Sequence, residues 1–96
     1  MLLHLLNRSP ASNCIYRDTL RAMGDDDRLL LIEDGVYGAL TPLADRFEAI
    51  AGRLFVLRED LASRGLEERC DERAQVIDMQ GFVVLTEVAE RTVSWC

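Results

Sequence analysis

Short apolar runs separated by segments with helical periodicity constrain the fold of this chain more than any other feature of its sequence. Three runs are hydrophobic almost throughout: Leu2–Leu6, residues 28–32 and Leu54–Leu57. A strand of a parallel sheet is covered on both faces and is apolar along its length, whereas a half-exposed strand alternates apolar and polar residues. Such strands, alternating with helices and short loops, are typical of α/β proteins. The pattern therefore predicts an α/β layered domain with a mostly parallel central sheet.

The segment after the first run predicts an amphipathic helix that ends at Gly24, a residue type that commonly closes helices. Either Ser9 or Ser12 could cap its start. Its apolar face is formed by residues spaced mostly three or four apart, which are Ile15, Tyr16, Leu20 and Met23.

The remaining elements are marked by turn residues and shorter apolar groups. Asp34 is expected to cap a short helix, and Gly52 and Gly65 are expected to end two others. Helices are predicted over residues 34–40, 41–52, 59–64 and 81–90, and strands over residues 75–78 and 92–95, the last as an edge strand.

The length of 96 residues predicts a single domain spanning residues 1–96. A domain this small buries roughly two-thirds or less of its unfolded surface, so we expect the isolated chain to self-associate or to be poorly stable. No apolar run approaches the ~20 residues of a membrane-spanning helix. The apolar run at the N-terminus also lacks the basic region of a signal peptide. The sequence thus predicts a cytoplasmic protein without membrane contact.

The charge balance argues against direct binding to nucleic acid. The chain carries 17 acidic and 11 basic residues, for a net charge of −6 at pH 7, and it has no basic run. Binding to phosphate backbones requires clustered Lys and Arg, and an acidic surface repels RNA at long range. Any role in an RNA pathway is therefore expected to depend on protein partners.

The sequence presents no recognisable catalytic, cofactor or metal site. Gly35 and Gly38 lack the spacing of a nucleotide-binding loop and indicate a turn and close helix packing instead. His4 lies within an apolar run and is expected to be a core residue hydrogen-bonded to the backbone. The acidic segment 25–27 is expected to be a solvated turn, since three adjacent aspartates do not match a calcium loop. Residues 7–9, 33–35 and 58–60 are the candidate functional loops, because they follow the carboxyl ends of predicted parallel strands.

The three cysteines are few and widely spaced, which favours reduced thiols over a disulfide or a zinc site. Cys14 lies near the start of the first helix with Arg8 and Arg17 nearby in the sequence, an environment that could activate a thiol. An inert thiol is the commoner outcome. Cys70 lies in a charged segment expected to be exposed, and Cys96 is the last residue.

Four segments occur in order and with consistent spacing along the chain. They are residues 4–10 (HLLNRSP), 29–40 (LLLIEDGVYGAL), 55–65 (FVLREDLASRG) and 77–86 (IDMQGFVVLT), with Trp95 near the end. Together these segments resemble the TusB/DsrH family. Phe55 stands where the family has Tyr, and Ser63 where it has Ala.

The resemblance implies a three-layer sandwich with a central, mostly parallel sheet. It also implies a hetero-oligomer of sister subunits, with two copies of each of three related chains. In that family a cysteine on a sister subunit accepts persulfide sulfur from a small carrier protein. In the tRNA branch of the family, the sulfur ends as the 2-thio group of the wobble uridine. The subunit resembled here has no agreed catalytic residue in that branch, so no catalytic, cofactor or metal residue is assigned.

One position separates the two branches of the family. The sulfur-oxidising DsrH branch carries a cysteine in the first helix, one residue before a leucine, where this chain has Thr19 before Leu20. Threonine cannot hold a persulfide, and Cys14 lies five residues earlier, on a different face of the predicted helix. The resemblance therefore favours a non-catalytic subunit of the tRNA 2-thiolation relay.

Two alternatives remain open. The first is a DsrH-type subunit of a dissimilatory sulfur-oxidation complex that carries sulfur on Cys14. The second is an unrelated small α/β binding module.

Overall fold

The computed structural model describes residues 1–96 and contains one five-stranded sheet. Its strands are β1 (Leu2–Leu6), β2 (Arg28–Leu31), β3 (Leu54–Leu57), β4 (Gln75–Ile77) and β5 (Arg91–Trp95). They are arranged in the order β4-β3-β2-β1-β5, and every neighbouring pair is parallel. The three apolar runs form the three inner strands, as predicted, and the two less apolar segments form the edges.

Three α-helices and three 3₁₀ helices connect the strands. The α-helices are α1 (Asn13–Ala22), α2 (Arg58–Ser63) and α3 (Met79–Val88), and the 3₁₀ helices cover Glu33–Ala39, Leu43–Ile50 and Glu67–Arg69. α1 begins after Ser12, whose side chain makes no capping hydrogen bond. No helix of the structure is both long and apolar enough to span a membrane.

Two predicted helix starts are wrong. Asp34 lies inside the first 3₁₀ helix rather than at its cap, because the helix already begins at Glu33. α3 begins two residues before the predicted Gly81, because the Asp78 carboxylate caps it by accepting a hydrogen bond from the Gly81 N–H at 2.9 Å.

The sheet lies between two helical layers of unequal thickness, which confirms the three-layer sandwich. On one face, α1, α2 and the first two 3₁₀ helices pack over a core cluster of 14 buried residues that includes Tyr16 and Phe47. On the other face, the buried cluster has four residues, and Leu85 of α3 is its only helical member. The thinner layer leaves several apolar side chains near it only partly buried.

The amino ends of the central strands are held together by Asp27, which is only 5% exposed. Its carboxylate accepts hydrogen bonds from the backbone N–H groups of Leu2 and Gly24, each at 2.9 Å, and pairs with His4 Nε2 at 3.0 Å. The prediction of a solvated acidic turn therefore holds for Asp25 and Asp26, which are exposed, but is wrong for Asp27. The carboxylate thus satisfies one buried donor, on His4, and two part-buried backbone N–H groups.

His4 links this carboxylate to the edge strand β5. Its Nδ1 accepts a hydrogen bond from Trp95 Nε1 at 3.1 Å, and the two rings are stacked with centroids 6.2 Å apart. Because the indole can only donate, Nδ1 carries no proton and Nε2–H donates to Asp27. The expectation that His4 is a core residue is correct, but its partners are side chains rather than the backbone.

We expect Asp27→Asn to lower the free energy of unfolding by about 2 kcal/mol at neutral pH, because an amide cannot accept from all three donors. Burial by itself raises the pKa of Asp27. The hydrogen bonds that its carboxylate accepts from Gly24, Leu2 and His4 have a larger, opposite effect, and the net result is a pKa lowered from 3.8 to about 2. The stabilisation of the folded state by the ionised Asp27 carboxylate is therefore fully present at pH values above the pKa of Asp27 in the unfolded chain. It is lost as the pH falls towards 2.

Urea denaturation at a series of pH values tests this expectation. Between pH 3.8 and about 2, the wild-type chain should lose stability more steeply than Asp27→Asn. Asp26→Asn is the matched control, since the Asp26 side chain is 80% exposed and should change stability little. Equal stability of the two variants at neutral pH would contradict the role given to Asp27.

Candidate functional site

The three candidate segments meet at the carboxyl edge of the sheet, as predicted, because β1, β2 and β3 are neighbours. Residues 33–35 and 58–60 are not loops, however, but the first turns of a 3₁₀ helix and of α2. The N–H of Glu33 donates to an Asp60 carboxylate oxygen at 2.6 Å, which joins the segments after β2 and β3. The N–H of Ile32 donates to the Leu6 carbonyl at 3.1 Å, which joins the ends of β2 and β1. Only folding brings these residues together, since 27 positions separate Glu33 from Asp60.

Backbone strain and ion pairs occur together at this edge. Glu33 has a φ of 51°, in the left-handed region that non-glycine residues seldom occupy. Its bond to Asp60 helps to hold that conformation. Arg64, at the end of α2, contacts the Asp34 carboxylate at 3.0 Å and the Asp60 carboxylate at 3.9 Å. The acidic groups of the loops are thus engaged in positioning one another.

Gly35 allows the loop after β2 to pack directly against the end of β1. A Cβ atom at this position would lie 2.1 Å from the Leu6 carbonyl oxygen, so no other residue fits without movement of the backbone. Tyr16 of α1 reaches the same place, where its hydroxyl lies 2.7 Å from the Arg8 carbonyl and 3.3 Å from the Gly35 carbonyl. Burial raises the pKa of Tyr16, which keeps the hydroxyl a donor.

The packing role expected for both glycines is therefore observed. A Cβ atom at Gly38 would approach the Tyr16 ring to 2.9 Å. The hydroxyl of Tyr16 joins α1 to two loops of the carboxyl edge, which the sequence analysis missed because Tyr16 was assigned only to the apolar face of a helix. One polar atom here has no partner: Asn7 Oδ1 is buried without a hydrogen bond.

Cys14 lies in the first turn of α1 and is exposed. It borders an open groove of about 420 Å³. Within the groove, the Arg46 guanidinium lies 4.9 Å from the centre of the Tyr16 ring. The groove is lined by Asn13, Cys14, Tyr16, Arg17, Leu20 and Arg46. An accessible thiol therefore borders the same groove as Arg17 and Arg46.

Thr19, which the resemblance aligns with the cysteine of the DsrH branch, is completely buried. Its hydroxyl donates to the Ile15 carbonyl at 2.7 Å, within α1. Since Cys14 is exposed and Thr19 buried, the two residues lie on different faces of the helix.

The other cysteines differ in their surroundings. The prediction that Cys70 is exposed is wrong. The residue is half-buried, because its backbone pairs with Leu40 in an isolated antiparallel bridge. Burial and, to a smaller extent, the Asp71 carboxylate raise the pKa of the Cys70 thiol, which disfavours the nucleophilic thiolate. Cys96 is exposed at the end of the chain.

The outer side of α3 is a third candidate surface, and sequence reasoning missed it. Met79, Val83, Val84 and Val88 are between 49% and 58% exposed. They recur along one side of the helix, while Leu85 on the opposite side is buried against the sheet. The signal in the sequence is that the helix is apolar almost all round, a pattern usually found in buried helices.

Comparisons with known proteins agree on one family. The model of the DsrH-like protein family matches residues 8–92. Protein TusB of Pectobacterium parmentieri is 36% identical over 97 residues, which covers 98% of this chain and all of that protein. Protein TusB of Serratia proteamaculans (35% identity over 97 residues) and of Escherichia coli O1:K1 / APEC (34% over 98 residues) match with the same coverage.

Two solved structures share the fold. The crystal structure of the ychN protein from E. coli superposes with a TM-score of 0.77, at 15% identity, over 97% of each chain. The solution structure of protein Tm0979 from Thermotoga maritima superposes with a TM-score of 0.70, at 26% identity, over 91% of this chain and 92% of that one.

The close approach at Gly35 can be tested by substitution. We expect Gly35→Ala to lower the free energy of unfolding by more than about 3 kcal/mol, because its methyl group would overlap the Leu6 carbonyl oxygen. Urea denaturation followed by circular dichroism measures the change. Gly24→Ala is the matched control, since its nearest neighbour would be 3.6 Å away. Equal unfolding midpoints for the two variants would show that the loop does not pack as described.

Proposed function

Because this chain belongs to the DsrH-like protein family, we propose that it is a non-catalytic subunit of a cytoplasmic sulfur-relay complex that supports 2-thiolation of the tRNA wobble uridine. The observation that carries the proposal is its similarity over nearly its whole length to proteins named TusB. Membership of the family also removes the alternative of an unrelated α/β binding module.

The hydrogen bonds of the His4 imidazole support a non-catalytic role for this chain. Both of its ring nitrogens have structural partners, Asp27 and Trp95, and the residue is 2% exposed. A general base must be within reach of a substrate proton, and this imidazole is not. The buried Thr19, at the position where the DsrH branch has its cysteine, adds to this support. We therefore assign the relay cysteine to a sister subunit.

The proposed partners are proteins. The chain would assemble with sister subunits as a hetero-oligomer of two copies of each of three chains, and the complex would exchange sulfur with small carrier proteins. The net charge of −6 supports an indirect relation to tRNA, because a phosphate backbone is repelled by such a surface.

A second candidate function is favoured by the exposure of Cys14. In this alternative the chain is a DsrH-type subunit that carries sulfur on that thiol in sulfur oxidation. The groove beside Arg17 and Arg46 would admit a partner's persulfide. A thiolate is the nucleophile in such a transfer, so this function cannot survive loss of the sulfur atom.

The effect of Cys14→Ala tests whether this chain carries sulfur in the tRNA 2-thiolation relay. If the relay operates on a sister subunit, cells whose only copy carries Cys14→Ala should keep tRNA 2-thiolation within about twofold of wild type, because an exposed residue contributes little to stability. The readout is the 2-thiouridine content of tRNA, measured by mass spectrometry. Cys96→Ala, which removes another exposed thiol, is the matched control.

Replacing Cys14, Cys70 and Cys96 together extends the test to every thiol of the chain. Alanine is the better choice at the half-buried Cys70, since a buried unpaired hydroxyl costs roughly 1–3 kcal/mol. Thiolation should again be retained. Loss of thiolation by Cys14→Ala alone, with an assembled complex and an active Cys96→Ala control, would make Cys14 the site of sulfur transfer.

A further inference from the structure

We propose that His4 makes the attachment of the edge strand β5 dependent on pH: a second proton on its imidazole breaks the hydrogen bond from Trp95 and releases the end of the strand. The two ring nitrogens have partners of opposite kind. Nε2–H donates to the Asp27 carboxylate at 3.0 Å, whereas Nδ1 accepts from the Trp95 indole N–H at 3.1 Å. The attachment of β5 therefore uses a nitrogen that is also the site of proton uptake.

A proton on Nδ1 and the hydrogen bond from Trp95 exclude each other, because both need the same lone pair. An imidazolium ring donates from both nitrogens, and an indole N–H can only donate. In the protonated ring, two N–H groups would face each other across 3.1 Å. His4 is 2% exposed, so water does not replace the missing acceptor while Trp95 is in place. A buried donor without an acceptor is strongly disfavoured, and the indole has to move away.

The Asp27 carboxylate favours the protonated ring once the indole has moved. It lies 3.0 Å from Nε2 and is 5% exposed. A negative charge at this distance favours the charged form of a neighbouring imidazole. The pKa of Asp27 is lowered to about 2, so the carboxylate stays ionised between about pH 5 and 8, where histidine side chains ordinarily change charge. The carboxylate and the indole thus act on proton uptake in opposite directions.

Two positive groups also lie near this end of the sheet. Arg53, which precedes β3, donates to the Asp27 carbonyl at 2.8 Å. The ammonium of Met1, which precedes β1, pairs with two exposed carboxylates at 3.3 and 3.6 Å. Both charges oppose a second proton on His4, and their own partners reduce that effect. Asp27 is the charged group that is bonded directly to the ring.

The other elements around His4 direct their charged side chains elsewhere. Its register partners are Leu29 of β2 and Val93 of β5, and α1 buries Tyr16 and Thr19. The Tyr16 hydroxyl donates at the opposite, carboxyl edge of the sheet. The charged residues of these elements lie in solvent, or in one case over the Phe55 ring on the other face, and they are Arg17, Asp18, Arg21, Arg28 and Arg91.

β5 depends on Trp95 because few other side-chain contacts hold this strand. It pairs with β1 alone, and none of its five residues is fully buried. Trp95 packs against the larger core, and its bond to His4 is the only hydrogen bond made by a side chain of the strand. Loss of that bond therefore loosens β5 at its end, next to Leu6 of β1. The backbone groups freed along the edge of β1 are those with which a strand of another chain can pair.

Hydrogen exchange of the full-length chain, followed by nuclear magnetic resonance, measures this release. Rates are recorded at pH values between about 8 and about 5, and each is compared with that of an unprotected amide at the same pH. One proton taken up on release raises the opening constant by at most about tenfold per pH unit, so the protection of the β5 amides should fall about tenfold over this range. The amides of β4, the other edge strand, should keep their protection.

Two variants separate the histidine from the other titrating groups. His4→Gln cannot take up a proton, and Trp95→Phe keeps an aromatic ring beside His4 but lacks the N–H that competes with the proton. In both variants the protection of β5 should be independent of pH. Both keep the 17 acidic residues of the wild-type chain, so effects of these carboxylates are matched. Far-ultraviolet circular dichroism at each pH establishes that the chains are folded, and Trp95→Phe alone is sufficient if His4→Gln does not fold.

Unchanged protection of β5 in the wild-type chain across these pH values would overturn the proposal. An equal loss of protection in β4 and β5 would overturn it as well, because the whole sheet would then loosen together. A loss in Trp95→Phe equal to that of the wild-type chain would assign the pH dependence to another group. None of these results bears on the proposed function, which the 2-thiouridine content of tRNA tests separately.

Discussion

The carboxylate of Asp27 connects three parts of the chain that parallel topology would otherwise leave apart. It binds the beginning of β1, the turn after α1 and, through His4, the indole of Trp95 on β5. Parallel strands are joined by crossovers rather than tight hairpins, so their amino ends need contacts of this kind to fix them. A buried charge is tolerated here because donors surround it. Without it, the buried His4 imidazole and two part-buried backbone N–H groups would lose their partner together.

The carboxyl edge of the sheet is held by a different kind of contact. There the backbone of Gly35 packs against the Leu6 carbonyl, and Tyr16 donates into the same region. A charged network thus holds the amino ends of the strands, and close backbone packing holds their carboxyl ends. Between them, the inner strands place their side chains alternately into the two cores of the sandwich. The asymmetry of these cores leaves apolar side chains on one side of the sheet only partly buried.

Local sequence patterns predicted the inner strands well, because continuous apolar runs such as Leu54–Leu57 are typical of parallel strands buried on both faces. The errors arose where distant residues decide the outcome. The partners of His4 lie 23 and 91 positions away, so its side-chain hydrogen bonds could not be inferred from its apolar neighbours. The candidate segments were correctly placed at one end of the strands, but the contact of Glu33 with Asp60 depends on three-dimensional packing that no local pattern records.

The contact between His4 and Trp95 also gives the molecule an internal optical reporter. Trp95 is the only tryptophan of the chain, and its indole lies on the outermost strand, stacked on a buried imidazole. The emission of an indole depends on its hydrogen bonding and its access to water. Detachment of β5 from β1 would change both at once, whereas disturbances confined to the distant β4 edge would leave them unchanged. Fluorescence of the unlabelled protein therefore distinguishes fraying of one side of the sheet from loosening of the other.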